Sequence, residues 1–435
     1  MRRESFLPPV RLGGRYVRLE PLAESDADAL APIWALPEVH RYLIGLQPDP
    51  DRPDVVPMIR ELLRRQANGS ALAFTAVRAS DGRPVGMTGF LDIQRPHHKV
   101  EIGGTWLDPA VWRTPIHTES KLLLLHHAFE TEDAHRVILK TDARDERSRR
   151  VVAGLGARQE AVLRENLRLS DGSYRDTVVF RMLREEWKAI EAGLRERLAL
   201  PRPGGPPRAG AVTASGAATG APPHRARVDP PGTEMGFRSP VTLTGRHVEL
   251  VPLERHHMPE LEHAGRDPAI WQYMRWGGER PVHEMIEVVT TELLEDKAQG
   301  EVLPFAIRSL PERRTLGIFR FLNIDRPNRA VELGTWVDSA YWRTPVNTEV
   351  KYLALRHAFE EEAAHRVQMQ TDRRNVRSQR AIERLGAVRE GTHDENFLLP
   401  DATYRTSIVY SILASEWATV KRGLEAQLSR PWPPP

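Results

Sequence analysis

The sequence predicts a mixed α/β protein built twice over: two tandem domains, each a central mixed β-sheet flanked by helices. Three observations carry this prediction. Long segments recur at a fixed shift, strand-like runs alternate with helical periods inside each copy, and a stretch rich in proline, glycine and alanine separates the copies. The 435 residues leave room for two or three domains with sizeable cores.

The repeat is explicit. Trp112-Arg113-Thr114-Pro115-Ile116-His117-Thr118-Glu119 returns as Trp342-Arg343-Thr344-Pro345-Val346-Asn347-Thr348-Glu349, and 13 of 19 positions agree between 112–130 and 342–360. Gly14-Arg15 pairs with Gly245-Arg246, Thr141-Asp142 with Thr371-Asp372, Leu155-Gly156-Ala157 with Leu385-Gly386-Ala387, and Glu186-Trp187 with Glu416-Trp417. The period is too long for a solenoid and marks duplication of a whole domain. The expected organisation is one domain over 11–199, a flexible linker over 200–239 and a second domain over 240–430.

Within each copy the elements follow in order. An opening strand (Tyr16 to Leu19; His247 to Leu250) precedes a helix, and strand-like runs follow at 72–79, 85–93 and 99–107, matched by 303–309, 316–324 and 330–337. A helix is expected to begin near Thr118 and Thr348, because Leu122, Leu125 and Phe129, or Leu355, Ala358 and Phe359, recur at helical spacing. A short strand (Val137, Leu139; Val367, Met369) leads to a second helix that stops at Gly156 or Gly386, a glycine cap. Two strands and an amphipathic helix close the unit.

Composition excludes several classes. The chain has no cysteine, which removes disulfides, thiolate metal sites and cysteine acyl-enzymes and fits a reducing cytoplasm. No apolar run is long enough for a membrane span, and the arginines of MRRESFLPPV are followed by no apolar stretch, so neither a membrane protein nor a secretory signal is expected. Arginine supplies 55 of the 62 basic residues, yet 59 acidic residues are interspersed and no basic stripe forms, so no nucleic-acid partner is expected. No metal is expected either: His256, Glu260 and His263 have helical spacing, but the first copy has no counterpart and no fourth ligand is fixed.

The strand-to-helix turns at 107–118 and 337–348 carry the chemistry. A helix N-terminus exposes unpaired amides and a positive dipole end, which suit a phosphate. Pro115 and Pro345 tolerate this position, and Thr118, Thr348 or the residue before each can cap. Asn347 caps well; His117 caps poorly. The same spacing also describes a well-capped helix with no ligand.

Glu-Ile/Leu-Gly ahead of Thr-Trp, the Arg-Thr-Pro-x-x-Thr-Glu turn, the Asn-x-x-Ser helix start at Asn375 and Ser378, and the Leu-Gly-Ala stop together resemble the GNAT superfamily of acetyl-CoA-dependent N-acetyltransferases. The resemblance covers nearly all of both copies and is to the branch of ribosomal-protein N-terminal acetyltransferases. It implies that the turn binds the coenzyme A pyrophosphate and that the pantetheine arm lies between two splayed strands. Carried onto this chain, the coenzyme-contacting residues are Trp106, Trp112, Arg113, Thr114, Ile116, His117, Thr118 and Asp145, and in the second copy Trp336, Trp342, Arg343, Thr344, Val346, Asn347, Thr348 and Asn375. The more common glycine-rich turn is absent, since Trp112, Pro115 and His117 stand where glutamine or arginine and two glycines are usual.

Acetyl transfer to a primary amine needs a base, because the amine is protonated at neutral pH, and a donor to the leaving thiolate. Glu101 and Glu332, on the strand before the turn, are the base candidates, with a surface carboxylate as the alternative. Ser148 and Ser378 occupy the position where the resemblance implies a proton donor to sulfur, with helix capping as the alternative. Tyr174-Arg175 and Tyr404-Arg405 begin a late strand read as structural, or else as the border of an acceptor pocket.

The copies are not equivalent. His117 and Asp145 replace the Asn347 and Asn375 expected by resemblance, so the second copy looks better built around the coenzyme. Glu101 and Trp106 are separated by one residue more than Glu332 and Trp336, and an unmatched strand residue inverts the faces unless a bulge absorbs it. The first copy is therefore expected to bulge near Gly103, and the copies to differ in competence. The reading is direct acetyl transfer from acetyl-CoA to an amine of a small molecule or a protein N-terminus, and a small molecule is preferred because no acidic trough is legible. The rivals are a non-catalytic coenzyme-A-binding or scaffolding protein and a peptide-binding adaptor. Duplication also permits the two copies to face each other as an intramolecular pseudo-dimer.

Overall fold

Alternating apolar positions that bury both faces of a sheet dictate the strands, and the helices cover those faces. A computed structural model describes residues 10–40, 54–169, 171–199, 235–237, 241–277, 280–310 and 312–430. The first copy runs β1 (Leu12–Gly13), β2 (Val17–Pro21), α1 (Ala27–Trp34), α2 (Pro37–His40), α3 (Val56–Ala67), β3 (Leu72–Arg78), β4 (Pro84–Gln94), β5 (Lys99–Leu107), α4 (Pro115–His126), β6 (Arg136–Asp142), α5 (Glu146–Gly154), β7 (Arg158–Arg168), β8 (Tyr174–Leu183) and α6 (Arg184–Ala199). The second repeats it as β9 (Leu243–Thr244), β10 (Val248–Pro252), α7 (Met258–Ala264), α8 (Val282–Ala298), β11 (Leu303–Ser309), β12 (Thr315–Asp325), β13 (Ala330–Val337), α9 (Pro345–Arg356), β14 (Arg366–Asp372), α10 (Val376–Arg384), β15 (Val388–Leu398), β16 (Tyr404–Leu413) and α11 (Trp417–Leu428). Among the described residues no helix is long and apolar enough to cross a membrane.

The strands order as β1-β2-β3-β4-β5-β6-β8-β7-β15-β16-β14-β13-β12-β11-β10-β9, one sheet through both copies. Only β5/β6 and β13/β14 run parallel. One face of each half packs on its long central helix and closing helix; the other packs on α1 and α3, or on α7 and α8. Met235 and Phe237, which the sequence assigned to the linker, are buried in the second copy's core. Apart from these and Gly236 between them, the segment 200–239 lies outside the described residues.

The copies meet where β7 pairs with β15 at Ala161 and Gly391. Gly391 has φ +147, and a Cβ there would strike the Glu160 carbonyl, so glycine permits the approach. Around this point His135 stacks on Tyr404 at 3.5 Å and Tyr174 on His365 at 3.4 Å, one contact on each side of an approximate two-fold. Buried Arg136–Glu160 and Arg366–Glu390 pairs lie between them. The symmetry is incomplete: Arg164 reaches Glu416 at 2.6 Å, whereas Asp394, its counterpart, accepts from Arg181 at 3.2 Å.

The repeated Gly-Arg and Thr-Glu have a structural cause. The Glu119 carboxylate is buried and accepts the backbone N–H groups of Arg15, Tyr16 and Val17, and Glu349 does the same for Arg246, His247 and Val248. A Cβ on Gly14 would lie 2.5 Å from Glu119, and one on Gly245 would lie 2.6 Å from Glu349. Two lysines are buried in the same way. Lys121 donates to Thr105 at 2.5 Å and Thr88 at 3.2 Å, and Lys351 donates to Thr335 at 2.6 Å. No carboxylate pairs with either among the described residues, and burial pushes both down to about 7.

This packing has two measurable consequences. Gly245→Ala displaces the carboxylate that holds three buried amides and lowers stability by about 2–3 kcal/mol, read from urea unfolding of the full chain. Each lysine has a folded value below its unfolded value of 10.5, so the unfolded chain binds more protons between about 7 and 10 and stability rises with pH across that window. Lys121→Met with Lys351→Met removes this rise and raises the thermal midpoint at pH about 7 by several degrees. A slope between neutral and alkaline pH equal to that of the parent would contradict the assignment.

Candidate functional site

The parallel pairing of β13 with β14 covers Ala330, Val331 and Glu332 against Arg366, Val367 and Gln368, and then stops. Both strands continue, to Val337 and Asp372, so they splay and leave a wedge. The same happens after Glu101 and Ile138 in the first copy. Past the divergence, alternate N–H and C=O groups lose their partner strand and can pair with an extended amide-bearing ligand.

The turn beyond the wedge corrects one expectation. The helices begin at Pro115 and Pro345, capped by Thr114 and Thr344, and not at Thr118 and Thr348. Thr114 accepts the Ile116 N–H at 3.4 Å and donates to the Val111 carbonyl at 2.6 Å; Thr344 does likewise with Val346 and Tyr341 at 3.4 and 2.7 Å. Proline at the first helical position has no N–H to satisfy and its fixed φ suits the helix, so the start shifts back to it. Thr118 is buried in the first turn, and the Ile116 and Val346 side chains are packed into the cores. His117 and Asn347 are part-buried residues of the first turn; burial beside Lys121 and Arg147 pushes His117 down to about 3, which keeps it neutral. Arg113 and Arg343 take φ of +63 and +66, the left-handed conformation that glycine adopts without strain. The turn is thus made without the glycines whose absence was noted.

Trp112 and Trp342 donate to the strand-end carbonyls of Leu107 and Val337 at 2.9 and 3.0 Å. Arg147 and Arg377 lie over these indoles at 3.8 and 3.2 Å, bringing a cation from the next helix to the turn. The sequence reading missed this pair, although the two arginines coincide at the repeat shift. Trp106 and Trp336 pack against Trp34 and Trp271 at 5.3 and 5.1 Å, and both buried Nε1 donors lack a partner among the described residues.

The one-residue offset between the copies is absorbed as expected. The β4/β5 register slips between Met87 and Gly89, with Gly104 at φ +59, while β12/β13 runs unbroken from Gly317↔Val337 to Leu322↔Glu332. Both glutamates and both tryptophans therefore share the face covered by α1 and α3 or by α7 and α8.

On that face the copies diverge. Glu332 accepts on one oxygen from Asn323 at 2.9 Å and from Gln368 and Gln370 at 3.2 Å, all neutral amides, and Oε1 has no partner among the described residues. Glu101 is instead closed by Lys140 at 2.7 Å, and this carboxylate holds the lysine above its usual value. The donors diverge too. Ser148 gives its hydroxyl proton to Asp145 at 2.7 Å while its N–H is capped by the same side chain at 2.9 Å. Asn375 caps the Ser378 N–H at 3.0 Å, and the Ser378 hydroxyl makes no hydrogen bond among the described residues. A cavity of about 820 Å³ brings together Glu332, Trp336, Asn347, Lys351, Asn375 and Ser378. Trp342, Arg343, Thr344, Val346 and Thr348 stand outside its lining, at the turn.

The sequence profile of the acetyltransferase (GNAT) domain matches twice, over residues 17–158 and 247–388. The uncharacterized N-acetyltransferase p20 of Bacillus licheniformis is 25% identical over 177 residues, which is 41% of this chain and 95% of that protein. Among solved structures, a T. thermophilus protein assigned as an acetyltransferase is 39% identical, with TM-score 0.41, over 44% of this chain and 98% of that one. Mycobacterium smegmatis RimJ in complex with CoA-disulfide is 20% identical, with TM-score 0.40, over 45% of this chain and 99% of that one. The two profile matches together take in more than half of the sequence, and the chain belongs to the GNAT acetyltransferase family, with the domain present twice.

Proposed function

We propose that the C-terminal copy transfers an acetyl group from acetyl-CoA directly to the primary amine of a small molecule. The N-terminal copy is its structural partner in an intramolecular pseudo-dimer, with domains over 11–199 and 240–430. The observation that carries this reading is the contrast between the two glutamates: Glu332 opens one oxygen onto a roomy cavity, while Glu101 is neutralised by Lys140.

The residues fit a coenzyme A thioester. The wedge leaves backbone groups for the pantetheine amides, the first turn of α9 offers N–H groups at the positive end of a helix, and Arg377 adds a cation beside it. When bound, acetyl-CoA supplies an activated acyl carbon. Glu332 takes the proton of the incoming ammonium, directly or through water, so that the nitrogen lone pair can form the C–N bond. Unpaired N–H groups of β13 stabilise the charge that develops on the carbonyl oxygen. Ser378 gives its hydroxyl proton to the sulfur as the C–S bond breaks, and the second proton, which the nitrogen loses once the C–N bond has formed, passes through solvent to restore the hydroxyl. The N-terminal wedge fits a second reading, coenzyme binding without turnover, because its base and its donor are both engaged by charged neighbours.

Thiol release over an amine panel tests the assignment. Glu332→Gln lowers kcat by at least about 100-fold, and Ser378→Ala by about tenfold, while Glu101→Gln and Ser148→Ala change it less than about threefold. Equal losses from Glu101→Gln and Glu332→Gln would overturn the division of labour.

A further inference from the structure

The C-terminal cavity holds two guanidinium groups that form no ion pair among the described residues. Arg320 projects from β12 on the same face as Glu332 and lies across Gly334, where a Cβ would sit 2.9 Å from its Nε. Its guanidinium is over the Trp276 ring at 4.7 Å, and among the described residues it makes no hydrogen bond or ion pair. Arg275 flanks the same indole at 4.6 Å but is neutralised by Glu292 at 3.0 Å. Arg405, on β16, donates one Nη1 hydrogen bond to the Tyr273 carbonyl at 3.2 Å, and its buried Nε has no partner among the described residues. Both side chains line the cavity that contains Glu332 and Ser378. Burial pushes Arg320 down to about 10, with the like charges of Arg275 and Arg405 acting the same way and the carboxylates of Glu332 and Asp296 opposing them. The N-terminal copy has Gly89 at the position of Arg320, whereas Arg175 and Arg405 are equivalent and lie near equivalent carboxylates, Asp142 and Asp372.

We propose that Arg320 and Arg405 form an anion subsite, so that the acceptor is an amine carrying a compact oxyanion, a carboxylate or a phosphate monoester, a few bonds from the nitrogen. This rests on the reading of the C-terminal copy as the transferase. The planar fork of arginine suits such oxyanions, and Trp276 and Gly334 hold the fork of Arg320 in place. The charge difference also separates the roles within the cavity: the arginines fix the anionic end while Glu332 receives the ammonium end.

The test uses the full-length chain with acetyl-CoA. Glycine, β-alanine and 4-aminobutanoate are each compared with their primary amides, and 2-aminoethyl phosphate with ethylamine. At least one anionic amine is expected to exceed its neutral match by about 10- to 100-fold in kcat/KM, and the carboxylate and phosphate arms identify which oxyanion is taken. Arg320→Gln raises KM for the anionic amine by about 10- to 100-fold and so removes this preference. Calorimetric titration of the N-acetyl products, which needs no turnover, shows the same loss in Arg320→Gln. Equal turnover of anionic and neutral amines overturns the subsite and leaves the transferase reading standing. Product binding that depends on Arg320, without thiol release from any amine, keeps the subsite and overturns the transferase reading. A preference unchanged by both Arg320→Gln and Arg405→Gln overturns the assignment to these residues.

Discussion

Parallel pairing between β13 and β14 ends at Glu332 and Gln368, and the arrangement of the site depends on that ending. Had the ladder continued, its hydrogen bonds would close the gap and the two faces of the sheet would not communicate. Because it stops, the helix α9 side and the α7–α8 side share one opening. The first turn of α9 stands on the first, and Glu332 and Arg320 on the second. A donor and an acceptor can then approach from opposite faces and meet only at the reacting atoms.

The same divergence is present in the first copy, so the difference between the halves is one of side chains and not of architecture. Lys140 replaces Gln370, Asp145 replaces Asn375 and Gly89 replaces Arg320. Each change engages or removes a group that is open in the second copy. Lys140 occupies Glu101, and Asp145 takes the Ser148 proton. The half that has lost these open groups keeps its core, its capped helix and its buried lysine. Packing and polar chemistry have therefore separated in two domains of one fold.

Much of the fold was legible because strand alternation, glycine stops and a long repeat are local signals. A single offset between Glu101–Trp106 and Glu332–Trp336 was enough to anticipate the bulge at Gly104. The helix start was read late because the apolar period used to place it begins at Leu122, while the cap, Thr114, and Pro115 lie upstream of that period. Glu119 reaches back across the sheet to the amides of Arg15 to Val17, a long-range use that spacing does not reveal. The strand-to-helix turn is legible as a motif, but the stacked Arg147 and Arg377 come from the following helix and only the fold brings them in. The pairing of Glu101 with Lys140 and the passage of Arg320 over Gly334 depend on strand register. Identity alone does not disclose such contacts.

In a dimer of identical chains, every residue at the axis is mirrored by itself, and no change there can occur on one side only. Fusion of the copies removes that restriction. Ala161 meets Gly391, and Arg164 meets Ser411 and Glu416, at a place where two N-terminal halves would bring Arg164 against Arg181 and Glu186. The two edges at the seam, β7 and β15, are therefore free to carry different side chains, and each meets a surface unlike its own.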